Sequence, residues 1–271
     1  MKQIKVKPIQ EVKPIKVKPI EIVSVGTHEW NMPSVEPTPE PTDTSRYLKF
    51  TAREANSILY LNVTDGSDYG HSLDIKYSTD GISWVAWSIE QVQLRNLTSI
   101  EFTNVGDFIY VKGDNLWWKD FVYNENNYAM FSFQVLDGSF NVSGYASAVF
   151  DNGVEQNQTY TYASMFAEDG FVDCSNLIVN KVDTAFAMFA NNSTLTHGPV
   201  LEDNEVKEYA YGRMFYFTYN LISIRCLATQ FTNNSFFEWC VRVSSTGTFY
   251  CKEGVEFPEN TIPNGWNVVY V

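Results

Sequence analysis

The residues best suited to chemistry are few. The sequence holds three histidines, His28, His71 and His197, and four cysteines, Cys174, Cys226, Cys240 and Cys251. An imidazole paired with a nucleophile and a carboxylate would support acyl transfer, and one paired with closely spaced cysteines would hold zinc. Neither arrangement is present: no histidine has an apparent partner in the sequence, and the cysteines make no Cys-x-x-Cys spacing. Carboxylates number 32, yet no pair stands out, and there is no nucleophile elbow, Gly-rich phosphate loop or zinc motif. The pattern points away from an enzyme, with no catalytic residue, cofactor or metal expected. The thiols read as buried and free, a disulfide being disfavoured by a cytosolic origin. What remains is recognition: the adjacent indoles Trp117 and Trp118 form a candidate ligand platform, with burial at a domain junction as the competing reading.

Charge narrows the partners. The formal net charge is −13, and it is unevenly spread: residues 1–25 carry six lysines against Glu11 and Glu21, so this segment is +4 and the remainder −17. A body this acidic lacks the basic footprint of sequence-independent nucleic-acid binding. Lysines and glutamates interrupt the N-terminal segment every few positions, which breaks the apolar run of about 7–15 residues that a secretory signal needs. No window approaches the roughly 18–20 apolar residues of a membrane-spanning helix, and no lipidation cysteine lies near the start. The expectation is a soluble protein made in a cytosol, with neither nucleic acid nor membrane as partner.

The first 25 residues, "MKQIKVKPIQEVKPIKVKPIEIVSV", contain Val-Lys-Pro-Ile three times. Apolar residues mostly alternate with lysine, the period-2 mark of an extended chain with two unlike faces. Pro8, Pro14 and Pro19 forbid a helix or a central strand but tolerate an edge strand or a polyproline conformation. Such a chain has no means of burying its own apolar face. It is expected to dock on a partner, adding strand-type hydrogen bonds to an exposed sheet edge, through Ile4, Val6, Pro8, Ile9, Val12, Pro14, Ile15, Val17, Pro19 and Ile20. Fully extended, it reaches roughly 80 Å. A solubilising tail is the plainer alternative.

Residues 26–45 hold four prolines and no apolar periodicity and read as a semi-rigid linker. From Arg46 short β segments follow at about ten-residue intervals, "RYLKFTA", "SILYLNV", "HSLDIKYS", "WVAWSIE", "SIEFTNV" and "FIYVKG", the pattern of a small antiparallel sandwich over 46–135. Within it, Tyr77-Ser-Thr-Asp80-Gly81-Ile-Ser-Trp84 places Asp-Gly between two strand-like runs, a strong hairpin signal. The stretch resembles the Asp-box of sialidases with one residue fewer, and is read as a turn. Residues 136–271 carry an internal repeat: "TYTYASMFAEDGFVDCSNLIV", "DTAFAMFANNSTLTHGPVL" and "KEYAYGRMFYFTYNLISIRCLA" align on Met-Phe pairs at 165–166, 188–189 and 214–215. Each pair follows a Tyr or Ala run expected to lie on one helical face, and Leu177, Leu195 or Leu221 is expected to begin a short extended piece. Helix plus strand in a unit of this size is the grammar of leucine-rich repeats, whose stacked units share a core. Repetition makes the methionine and aromatic residues packing elements rather than a cofactor box.

The motif Tyr-Ala-x-Met-Phe followed by Asn or Ser and Leu resembles the divergent leucine-rich repeats of BspA-type surface proteins encoded by gut Bacteroidales and their phages. The ending from Cys226, with Trp239, Ser245-Thr-Gly-Thr-Phe-Tyr250 and Ile262-Pro-Asn-Gly-Trp266, is similar to that family's terminal unit, and the "LKFTA…YSTDG-x-x-W" region to the sandwich that often precedes the repeats. Here the repeats number about three and the Pro-Ala-Thr loop is reduced to Pro199-Val-Leu201. Members are usually exported and cell-attached, whereas this chain carries a docking arm. The combination resembles a virion protein of a crAss-like bacteriophage, assembled in the host cytoplasm. The resemblance implies a mixed β and α/β body, mounted on capsid or other virion proteins through residues 1–25 as a head fibre or capsid decoration. It also implies a dimer or trimer whose bundled arms multiply retention. The alternative is a host-surface or glycan-binding adhesin.

Overall fold

The computed structural model describes residues 43–64, 73–87, 98–115, 130–154, 156 and 158–271. Contacts divide the chain into Met1–Pro39 and Glu40–Val271, and every described residue lies in the second unit.

The fold is built almost wholly of strands. In the first half these are β1 (Leu48–Ala52), β2 (Ser57–Thr64), β3 (Ile75–Ser78), β4 (Val85–Ala86), β5 (Thr98–Phe102), β6 (Phe108–Gly113), β7 (Met130–Asp137) and β8 (Phe140–Tyr145). The first six fall where the alternating segments predict; β7 and β8 correspond to none of those segments. In β1 and β6 burial alternates residue by residue, as expected when one face of a strand meets a core. Antiparallel pairing links β4-β3-β6-β1-β8 in one sheet and β5-β2-β7 in a second. Their inner faces meet through phenylalanines: Phe50 of β1 lies 4.8 Å from Phe133 of β7, and Phe102 of β5 lies 4.8 Å from Phe140 of β8.

The sheet does not stop at β8. On the other side of β8 the pairing becomes parallel and runs through β10 (Phe171–Val179), β12 (His197–Leu201), β14 (Ser223–Cys226), β16 (Thr248–Cys251) and β17 (Asn267–Tyr270). Ten strands thus form one sheet, β17-β16-β14-β12-β10-β8-β1-β6-β3-β4. The boundary expected at 135–136 falls inside β7, and a single core passes beneath it. Phe133 stacks on Phe166 at 5.9 Å, Phe166 on Phe189 at 5.3 Å, Phe189 on Phe215 at 5.7 Å, and Phe215 meets Trp239 at 5.7 Å. Each unit of the repeat supplies one ring to this spine, and Met165, Met188 and Met214 are buried beside it.

The helical face expected around each Met-Phe pair is not formed; the only α-helix among the described residues is the single turn α1 (Ala148–Asp151). The reason lies in the hydrogen bonds. Within each unit alternate amides turn back on the chain, Met165 N to Tyr162 O at 3.2 Å and Met188 N to Ala185 O at 3.1 Å. The amides between them donate sideways to the next unit, Phe166 N to Met188 O at 2.8 Å and Phe189 N to Met214 O at 2.9 Å. A helix would have consumed all of them internally. The arch so formed needs two left-handed residues four apart, and they recur in register: Ser164 and Glu168, Ala187 and Asn191, Arg213 and Phe217, Glu238 and Arg242. The last pair marks a fourth arch, in which Trp239 takes the position of the methionine and Cys240 that of the phenylalanine.

The extended pieces follow Leu195 and Leu221 as expected, both fully buried, but in the first unit the equivalent residue is Phe171, and Leu177 lies well inside β10. Smaller parallel ladders join successive units on the other side, β9 (Tyr160–Thr161) with β11 (Val182–Thr184) and β13 (Glu205–Val206) with β15 (Gln230–Phe231).

Candidate functional site

The docking residues Ile4 to Ile20, the platform Trp117 and Trp118, and His28 and His71 all lie outside the described residues. Two motifs from the sequence do appear. The Asp-Gly stretch closes the β3–β4 hairpin: Asp80 Oδ1 accepts from Ile82 N at 2.8 Å, from Ser83 N at 2.7 Å and from Ser78 Oγ at 2.8 Å, while Gly81 sits at φ +76°. Those backbone donors hold the Asp80 carboxyl well below the usual carboxylate range. With every acceptor direction of Oδ1 engaged, this is turn chemistry.

The cysteines are all free; Cys174, Cys226 and Cys251 are buried, and Cys240 is half-buried. Burial pushes the Cys226 thiol up to about 12, which keeps it protonated and unreactive at neutral pH.

His197 belongs to a constellation that the sequence did not announce. It stands at the start of β12, with Nδ1 2.8 Å from Thr196 Oγ1, on the outer face of the parallel sheet. Strand register builds two rows across that face. The first row is His197, Ser223, Thr248 and Asn267; the second is Val200, Arg225, Tyr250 and Val269. Neighbouring members are one strand spacing apart, about 4.8 Å.

His197 and Val200 are three residues apart and would ordinarily face opposite ways. A bulge between them restores the common face: three residues of β12 span the two that separate Ser223 from Arg225. Pro199 occupies this bulge, where a missing amide is tolerated. Beneath the rows, Ile224, Cys226, Phe249 and Cys251 point into the core, so the strands carrying the rows are held from below.

Ser223 and Thr248 in the first row are shorter than Arg225 and Tyr250 beside them in the second, and a groove of about 340 Å³ lies here, lined among others by His197, Ser223, Arg225, Thr248 and Tyr250. Arg225 is exposed and has no ion-pair partner, side-chain hydrogen bond or ring contact among the described residues. The nearest carboxylate in register is Asp173 on β10, beside His197 and two strands from Arg225; its Oδ1 accepts from Ser175 N at 2.8 Å.

A larger hollow of about 810 Å³ lies between the fourth arch and the turn at 259–264; two of its three charged side chains are engaged, and the third, Glu259, is exposed. Glu238 pairs with Arg213 at 2.8 Å, and the Arg242 guanidinium lies 4.8 Å from the centre of the Phe217 ring. The sheet groove is therefore the better candidate for binding. In register His197 stands between Asp173 and Ser223, and the lining includes one cation, two hydroxyls, an imidazole and a phenol on the sheet. The sequence signal for it was the two-residue spacing in Ser223-Ile-Arg225 and Thr248-Phe-Tyr250, legible only once the strands are stacked.

In comparisons with known proteins, the chain matched no family model, no curated protein and no solved structure.

Proposed function

We propose that this chain is a non-enzymatic virion structural protein, a head fibre or capsid decoration mounted through residues 1–25 and displaying its globular body. The observation that carries this reading is the division of the chain at Pro39–Glu40, with an arm of alternating lysine and β-branched residues on one side and, on the other, a unit with its own continuous core. The stack of 23- to 26-residue units, one strand and one arch each, supports assignment of the second half to a short leucine-rich-repeat-like array of the BspA type. Its arches take the place of helices.

Two or three copies, each with one arm, would hold the mount more firmly than one, because linked arms raise one another's effective concentration. Deleting residues 2–25 should abolish incorporation into assembled particles while leaving the body folded. Normal occupancy of particles by the truncated protein would move attachment to the body and end the docking role of the arm. The second reading, a glycan-binding adhesin, is favoured by one observation, the uncompensated Arg225 beside Tyr250 in an open groove.

A further inference from the structure

We propose that the outer-face groove binds a carboxylate-bearing sugar, with Arg225 as the anchor for the acid group. The inference deepens the display reading by giving the displayed body a ligand class, and it rests on the geometry of the sheet alone.

The argument begins with charge. In a chain of net charge −13, a guanidinium on an open face would ordinarily find a carboxylate. Among the described residues Arg225 has none: its register neighbours are Val200 and Tyr250, and its same-face neighbour on β14 is Ser223. A planar fork of donors between an aliphatic and an aromatic neighbour suits one planar carboxylate, which it can grip with two parallel hydrogen bonds. The two rows add no second Lys or Arg, so the site provides for a single negative charge. A polyanion such as nucleic acid would need several phosphate-binding cations.

The rest of the groove suits a ring bearing hydroxyls. The Tyr250 side chain offers an aromatic surface one strand from the guanidinium, where the apolar side of a pyranose can lie. Ser223 and Thr248 offer hydroxyls that donate and accept, and the His197 imidazole extends that row. The volume of about 340 Å³ is at the small end for ligand sites, fitting one or two sugar rings. The parallel ladder fixes the backbone positions from which Tyr250 and Arg225 project, so the cost of binding falls on ordering side chains alone.

The test uses the full-length protein and saturation-transfer NMR with titration. The probes are glucuronic acid and N-acetylneuraminic acid, their methyl esters, galactose and inorganic phosphate. Both free acids are candidates, and whichever binds identifies the source of the carboxylate. The expected result is saturable binding of at least one acid, weakened at least about ten-fold by esterification and by Arg225→Gln. Tyr250→Ala should weaken it as well, while Arg242→Gln, in the other hollow, should leave it unchanged. Circular dichroism of each variant separates loss of the site from loss of the fold, and Arg225→Lys, which keeps the charge but not the fork, should retain only part of the affinity.

Absence of binding by the folded wild-type protein, or binding indifferent to Arg225→Gln, would overturn the proposal. Phosphate binding as tightly as the acids and displacing them would overturn the sugar assignment and leave a simple anion site. Because the free protein is used, none of these outcomes bears on whether the arm mounts it on a particle.

Discussion

Single residues carry much of the shape of this molecule, and glycine shows it most sharply. Gly144 lies in β8 at φ +81°, where a Cβ would come within 1.8 Å of the Tyr47 carbonyl oxygen, whereas Gly106 has a similar φ of +87° and open space around it. Gly106→Ala meets only the left-handed conformational penalty, about 1–2 kcal/mol. Gly144→Ala adds a collision with backbone that has no room to move, so its destabilisation should reach about 3 kcal/mol or more. Urea unfolding of the two variants side by side checks the difference. The sequence disclosed one such position, Gly81, because Asp-Gly between strands is a local signal. It did not disclose Gly144, whose constraint comes from Tyr47, nearly a hundred residues earlier, nor Arg225, whose lack of a partner among the described residues depends on which side chains lie on the adjacent strands.

At the scale of elements, the first six strands were legible because alternation is a local consequence of having one buried face. The repeat was legible too, through its Met-Phe pairs. The arches were not, because residues that would suit a helical face also suit a stack of turns whose amides bond to the next unit. That choice is made by neighbours, in the way tertiary context overrides helix propensity. The fourth arch was missed because Trp239 replaces the methionine and Cys240 the phenylalanine. The spine formed by these arches makes a quantitative prediction. Phe189 is fully buried and stacked on both sides, by Phe166 and Phe215, so Phe189→Ala should cost about 3–5 kcal/mol through lost burial and a cavity. Phe189→Leu should recover much of that, and Tyr219→Ala, 49% exposed beyond the arch, should cost less than about 1 kcal/mol. Equal effects at 189 and 219 in chemical denaturation would contradict the spine.

For the whole molecule, the expected division into a sandwich and a repeat region has to accommodate a sheet that belongs to both, and β8 is where antiparallel pairing gives way to parallel. The arm, the linker and the adjacent tryptophans were legible as sequence patterns, and they lie outside the described residues. The acidity of the body acts together with two buried carboxyls. Burial raises Asp151, despite a hydrogen bond from Gly153 N at 3.0 Å and one from Tyr160 OH at 3.2 Å, and burial likewise raises Asp203. A carboxyl raised in the fold favours it when neutral. That contribution is complete below the unfolded value of about 3.9 and is lost as pH rises through the folded value. Asp80 and Asp107, lowered by backbone hydrogen bonds, act in the opposite sense and withdraw their support only as pH falls below the ordinary carboxylate range. Tm should therefore rise as pH falls from neutrality toward the ordinary carboxylate range of about 4, helped by declining self-repulsion, and fall again below that range. A melting series in one buffer system at constant salt checks both limbs.

The in-register pairs of left-handed residues have a consequence for heredity. Each joint in the array is the same event, a parallel strand laid against its predecessor and an arch bonded to the one before it, with unit length free to vary between 23 and 26 residues. An in-frame duplication of one unit presents both of its neighbours with a surface they already accept. An insertion of one residue between the two left-handed positions breaks the arch on both sides. Selection on such a gene would pass whole-unit gains and losses and discard the small ones, so the length of the array is a trait that can change in steps without a new fold having to be found.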